Sequence, residues 1–208
     1  MCNHESEIIE ANDNSPHVPD APHLEPEALA IFERHVTGAS CYLEYGAGGS
    51  TVHAARNGAR HIITVDSSYN WAEAVRFRVG PASHVNVLYC DIGEVGPWGR
   101  PRDDHGLHGY HAYMSAPWEA ARRQAQEPSV ILVDGRFRVA CFLYSLLCAH
   151  AGTIILFDDY ATREHYHVVE EFSQSQAFYG RMAVFEVNKS FALPAIVSRI
   201  AQYSIISD

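Results

Sequence analysis

Cys41-Tyr42-Leu43-Glu44-Tyr45-Gly46-Ala47-Gly48-Gly49-Ser50-Thr51 is the stretch on which the fold turns. Its first five residues, apolar or aromatic apart from Glu44, read as a short buried strand. Gly46, Gly48 and Gly49 follow at once. Ser50 is placed to cap a helix over 51–57, and Gly58 to end it. Glycine between a strand and a helix permits backbone conformations that a side chain forbids, and it lets a ligand approach the main chain closely. The helix start adds unsatisfied N–H groups and a positive dipole end.

The same alternation continues outward. Strands are expected at 61–66, 85–90, 130–133, 153–157 and 181–187, with helices at 27–35, 70–79, 117–126, 137–150 and 162–174. Ala28, Leu29, Phe32 and Val36 give the first helix its apolar stripe. Pro117 suits a first helical turn, and residues 191–208 are expected to add a last strand. Short apolar strands separated by helices imply an α/β protein whose parallel sheet is covered on both faces. Such sheets bind ligands at the carboxyl ends of their strands, where the strand order reverses. Glu44, Asp66, Asp91, Asp134 and Asp158 all fall at or just past expected strand ends.

Asp66 lies 20 residues beyond Gly46, the separation expected of a carboxylate that grips ribose hydroxyls. The third glycine of a dinucleotide fingerprint would fall at Thr51, so that pattern is broken. An acidic Glu44 disfavours a neighbouring pyrophosphate and favours a sulfonium or ammonium group. These points lean toward S-adenosylmethionine and away from NAD.

The run Leu43 to Thr51 resembles motif I of the class I S-adenosylmethionine-dependent methyltransferases. That resemblance implies a Rossmann-like three-layer sandwich with a mostly parallel seven-stranded sheet and one antiparallel strand near the C-terminus. It implies that Glu44, Gly46, Gly48, Gly49 and Ser50 pass the methionine part of the cofactor, that Asp66 holds the ribose, and that Asp91 and Ile92 flank the adenine. Asp134, after the fourth strand, would face donor and acceptor. A narrower likeness is to cation-dependent small-molecule O-methyltransferases, which place one Asp after the fourth strand and an Asp-Asn pair after the fifth. Asp134 and Asp158-Asp159 occupy those places, with Asp159 replacing the Asn, so Mg2+ on Asp134, Asp158 and Asp159 is an option. Otherwise these carboxylates are caps and solvated ends.

Methyl transfer mainly requires a close, in-line approach. A hydroxyl acceptor also wants a base or a metal. Asp134, Asp158 and His167 are the candidate catalytic groups, with His165 a neighbour of the last. Residues 91–115, dense in Gly, Pro, His and aromatics, read as a long active-site loop. Trp98 and Arg100 form its expected substrate lid, with Arg102 beside them. Tyr113, with Tyr110 and Trp118, would complete the wall. Arg136 could reach an acidic group, or pair with Asp134 or Asp158. His105, His108 and His111 recur every third residue, but Gly106 and Gly109 argue against the helix a zinc site would need.

The 208 residues suit one domain over 26–208 behind a mobile, proline-containing tail over 1–25. The net charge of −10, from 25 acidic and 15 basic residues, argues against a nucleic-acid partner. No signal peptide or membrane span is legible, so a cytoplasmic protein acting on a small molecule is the expectation. A homodimer remains open. The five cysteines read as reduced thiols, mostly buried. Three functions stay open: methyl transfer to an O or N acceptor, a cofactor-binding domain without catalysis, and an NAD-dependent oxidoreductase.

Overall fold

A computed structural model describes residues 16–207. Seven strands form one sheet: β1 (Tyr42–Tyr45), β2 (Ile62–Asp66), β3 (Val85–Tyr89), β4 (Val130–Val133), β5 (Ile154–Phe157), β6 (Ala177–Tyr179) and β7 (Met182–Glu186). Their order is β3-β2-β1-β4-β5-β7-β6. The first five run parallel, in registers such as Leu43↔Ile63, Leu43↔Ile131 and Ile131↔Ile155. β7 is antiparallel to both β5 and β6. This is the Rossmann-like sandwich expected, with the order reversing between β1 and β4.

The helices are α1 (Pro26–Val36), α2 (Gly49–Arg56), α3 (Tyr69–Val79), α4 (Tyr110–Arg123), α5 (Arg138–Cys148) and α6 (Leu193–Tyr203). α1 buries Ala28, Phe32 and Val36 as its spacing predicts, while Leu29 is half-buried. α5 is the central helix. Phe142 lies 5.6 Å from Phe157 and 4.7 Å from Phe185, with no exposed surface. Each such burial contributes about 1.5–3 kcal/mol before entropy is charged against it. The deep Tyr45 hydroxyl is satisfied: it donates to the Met114 carbonyl at 2.9 Å and accepts the Trp118 indole N–H at 2.9 Å.

Three local expectations change. Residues 193–203 form a helix rather than a strand, because Pro194 suits a first turn and Ile196 and Ile200, four apart, bury one face. α4 starts at Tyr110, and Pro117 lies inside it. The segment expected as a helix over 162–174 is a 3-10 helix at Glu164–Glu171. The short edge strand β6 was not expected.

Cys41, Cys90 and Cys141 are buried and Cys148 half-buried, while Cys2 lies outside the described residues. Burial pushes the Cys41 thiol up to about 12. Among the described residues no helix is long and apolar enough to cross a membrane.

Candidate functional site

A cavity of about 860 Å3 opens at the carboxyl ends of β1, β2, β4 and β5, across the point where strand order reverses. That is near the upper end of the roughly 300–1,000 Å3 that small-ligand sites span.

One end is main chain. Gly46, Ala47, Gly48, Gly49 and Ser50 all line it, but the glycines serve different needs. Gly46 has φ +95°, and a Cβ there would stand 2.8 Å from the Gly135 backbone. Its lack of a side chain lets the turns after β1 and β4 touch. Gly49 gives way to the Ala21 carbonyl, which a Cβ would overlap. Only Gly48 faces open space, where a Cβ would meet nothing nearer than the Trp71 ring at 3.9 Å.

Glu44 does not line the cavity. It is fully buried beneath the turn and accepts hydrogen bonds from the Ser50 and Thr51 hydroxyls at the start of α2. Thr64 and Tyr42 lie near it, but their hydroxyls do not reach hydrogen-bond geometry. Burial pushes the Glu44 carboxyl up to about 7, against the pull of Ser50 and Thr51. The acid expected beside the ligand is an internal anchor for the loop.

Asp66 lines the same end and accepts the Ser68 N–H at 2.8 Å. Burial pushes its carboxyl up to about 6, with backbone N–H groups opposing. The Ser67 hydroxyl donates to the Gly99 carbonyl at 2.8 Å, which draws the 96–100 loop against this end. Trp98, with φ +62° and 90% exposure, and Arg100 therefore border the Asp66 end. Asp91, which accepts the Gly93 N–H, and the buried Ile92 do not line the cavity. Tyr113 and Gly135 form part of the floor, where the Arg136 N–H reaches the Tyr113 hydroxyl at 3.3 Å. Tyr110 and Trp118 are buried in the core.

The other end is charged. Asp134, Asp158 and Asp159 each bring a carboxylate oxygen within 4.8 Å of the others, the one such metal-competent group among the described residues. His105, His108 and His111 form none. Guanidiniums occupy the carboxylates. Arg138, 5% exposed at its side chain, meets Asp134 at 3.1 Å and Asp159 at 3.2 Å, and donates to the Asp158 carbonyl at 2.8 Å. Arg181 meets Asp158 at 3.0 Å and Asp159 at 2.9 Å. Arg163 meets Asp159 at 2.7 Å. Burial pushes the Asp134 carboxyl up to about 6, with Arg138 opposing and Asp158 adding to the rise.

His167 is exposed, outside the cavity, with Nε2 3.2 Å from the Tyr160 carbonyl and its ring 4.8 Å from that of Tyr160. The imidazole that does line the cavity is His23. It belongs to a strap, residues 16–25, that crosses the rim. Val18 is buried among Ala47, Val52 and Ala72, and Asp20 pairs with Arg56 at 2.8 Å and with Arg78. Arg181 donates to the His23 carbonyl at 2.6 Å, and its own N–H reaches Glu25 at 2.8 Å. Sequence reasoning missed Arg163, Arg181, Trp71 and His23 as wall residues. None sits in a motif, and no local spacing flags them.

No family model and no curated protein matches the sequence. Solved structures do. A methyltransferase-like protein from Silicibacter pomeroyi DSS-3 is 34% identical, with a TM-score of 0.80 over 90% of this chain and 99% of that one. The O-methyltransferase from Bacillus cereus, solved in complex with SAH, is 17% identical, with a TM-score of 0.55 over 81% of this chain and 85% of that one. Cofactor-bound Rv0187 from MTB is 18% identical, with a TM-score of 0.53 over 80% and 83%. The last two share the fold. On the first, and on the fold it shares, this chain belongs to the class I S-adenosylmethionine-dependent methyltransferase family.

Proposed function

We propose that the chain binds S-adenosylmethionine in this cavity and transfers its methyl group to an O or N atom of a small molecule. The observation that carries this is the continuity of one cavity, from the bare turn at Gly48 and the Asp66 carboxylate to the charged end at Asp134. When bound, S-adenosylmethionine supplies a sulfonium-activated methyl group, whose bond to sulfur breaks with its electron pair left on sulfur.

The residues present suit that ligand. The turn at Ala47–Gly49 passes the methionyl part without a side chain in the way, and the α2 N-terminus offers N–H groups to its carboxylate. Asp66 accepts hydrogen bonds from the ribose hydroxyls. Asp134 faces the junction of donor and acceptor. With a carboxyl lifted to about 6, it can take the acceptor's proton at Oδ2 near neutral pH. The strap at Pro16, Pro19 and His23 helps keep water from that junction.

Mg2+ does not fit the charged end as it stands. A divalent ion needs the carboxylate oxygens that Arg138, Arg163 and Arg181 hold, and three adjacent positive charges oppose it.

Titration of the full chain with S-adenosylhomocysteine (SAH) by calorimetry tests the reading. Binding at about micromolar Kd is expected, with Asp66→Asn weakening it at least about tenfold. No heat at millimolar ligand, or NAD binding in its place, sinks it.

A further inference from the structure

Donors and acceptors at the charged end do not balance, and the imbalance says what the acceptor carries. Both oxygens of Asp158 and both of Asp159 meet guanidinium nitrogens, as does Oδ1 of Asp134. Carboxylate capacity is nearly used up. Guanidinium capacity is not. Each guanidinium carries five N–H donors in a planar fork. Arg181 spends Nε and Nη2 on Asp158, Asp159 and the His23 carbonyl, and its Nη1 has no partner among the described residues. Arg163 commits one contact from each of Nη1 and Nη2, to the Tyr166 hydroxyl and to Asp159. Both arginines line the cavity, at 24% and 36% side-chain exposure.

The surroundings sharpen this. The chain as a whole carries −10, yet this end pairs its acidic groups with arginines one for one. A cleft that is neutral in an acidic chain, lined by arginines with unspent donors, selects an anion once the anion is inside. A cationic acceptor would find, at this end, Oδ2 of Asp134 as the one carboxylate oxygen not already meeting a guanidinium among the described residues. Arginine forks match carboxylates in geometry as well as charge.

We propose that the acceptor is a small molecule bearing a carboxylate, received by Arg163 and Arg181, and that this takes place without a divalent cation on Asp134, Asp158 and Asp159. The proposal rests on the methyltransferase reading above and narrows its acceptor. The carboxylate is the handle. Held by Nη1 of Arg181 and by Arg163, it leaves the methyl-accepting atom elsewhere on the molecule to reach toward Asp134.

The test uses the full chain saturated with SAH, whose own titration comes first. Matched acids and amides are then titrated: 4-hydroxybenzoate with 4-hydroxybenzamide, hexanoate with hexanamide, and glutarate with glutaramide. In at least one pair the acid should bind at least about tenfold tighter than its amide. Arg181→Gln should remove that preference while SAH still binds. Arg163→Gln, at a more exposed position, provides the same readout if the first variant does not fold. Mn2+, followed by electron paramagnetic resonance, should show no site that Asp134→Asn abolishes. Acids no tighter than amides in every pair, a preference that survives both arginine variants, or a Mn2+ site lost with Asp134 would each overturn the proposal while leaving the SAH result standing. Failure of SAH itself to bind removes the methyltransferase reading and this one with it.

Discussion

The two ends of the cavity are held by opposite means. At the glycine turn the wall is main chain, and its shape comes from side chains left out: Gly46 against Gly135, Gly49 against Ala21, Gly48 against open space. At the far end the wall is side chain, and its shape comes from charges that hold one another, with Arg138 buried between Asp134 and Asp159. The first needs steric room. The second needs every partner in place, because a buried ion pair is strongly destabilising to break even where it adds little net stability. The fold of the first end therefore fails on added volume at Gly46 and Gly49, while that of the second fails on lost charge.

The sharpest break is Arg138→Met. It removes the least exposed guanidinium and takes from Asp134 its Arg138 partner, while Asp159 keeps Arg163 and Arg181, so unfolding in urea at pH 7 should show a loss of about 3–5 kcal/mol. A loss below about 1 kcal/mol would mean that the charged end is held by something else.

Glu44→Gln comes next, and its effect depends on pH. The Glu44 carboxyl is lifted from 4.5 to about 7 by burial, so the fold favours the neutral form. The folded state then binds more protons than the unfolded chain between those values. Glu44 leaves stability intact below about 4.5 and reduces it progressively as pH rises toward 7. The full change is roughly 3 kcal/mol. Gln cannot ionise, so the difference between wild type and variant should move in the variant's favour from pH 5 to pH 8. Parallel profiles would show that Glu44 stays ionised throughout.

The smallest effect separates two neighbouring glycines. Gly49→Ala forces the Ala21 carbonyl aside and should cost about 1–3 kcal/mol. Gly48→Ala, at an extended backbone position facing the cavity, should change stability by less than about 0.5 kcal/mol while weakening SAH. Equal stability losses at both would erase the distinction between packing glycine and ligand glycine.

The turn end was legible in the sequence because everything it needs is contiguous. Strand, glycines, Ser50 and helix follow one another over 41–57, and Asp66 closes the next strand. Even so, a glycine that yields to a neighbouring backbone and one that borders a ligand look alike in a sequence. An acid at Glu44 does not announce whether it faces the cavity or the loop behind it. The charged end was half legible. Asp134, Asp158 and Asp159 sit at strand ends, where periodicity puts them. Arg181 comes from the β6–β7 turn, 23 residues from Asp158, and β6 is too short to give a pattern. His167 misled for a related reason: the segment after β5 is a 3-10 helix with a different side-chain phase, and it turns that imidazole to the Tyr160 carbonyl. α6 was misread where alternation and helical spacing compete over a short apolar run.

The close approach of the Ala21 carbonyl to Gly49 constrains its two partners unequally. An oxygen of the peptide link belongs to whatever amino acid occupies 21, so that position can drift without disturbing the meeting. Position 49 has no such latitude. Mutational freedom across this contact is lopsided, concentrated on the segment that crosses and withheld from the helix it crosses.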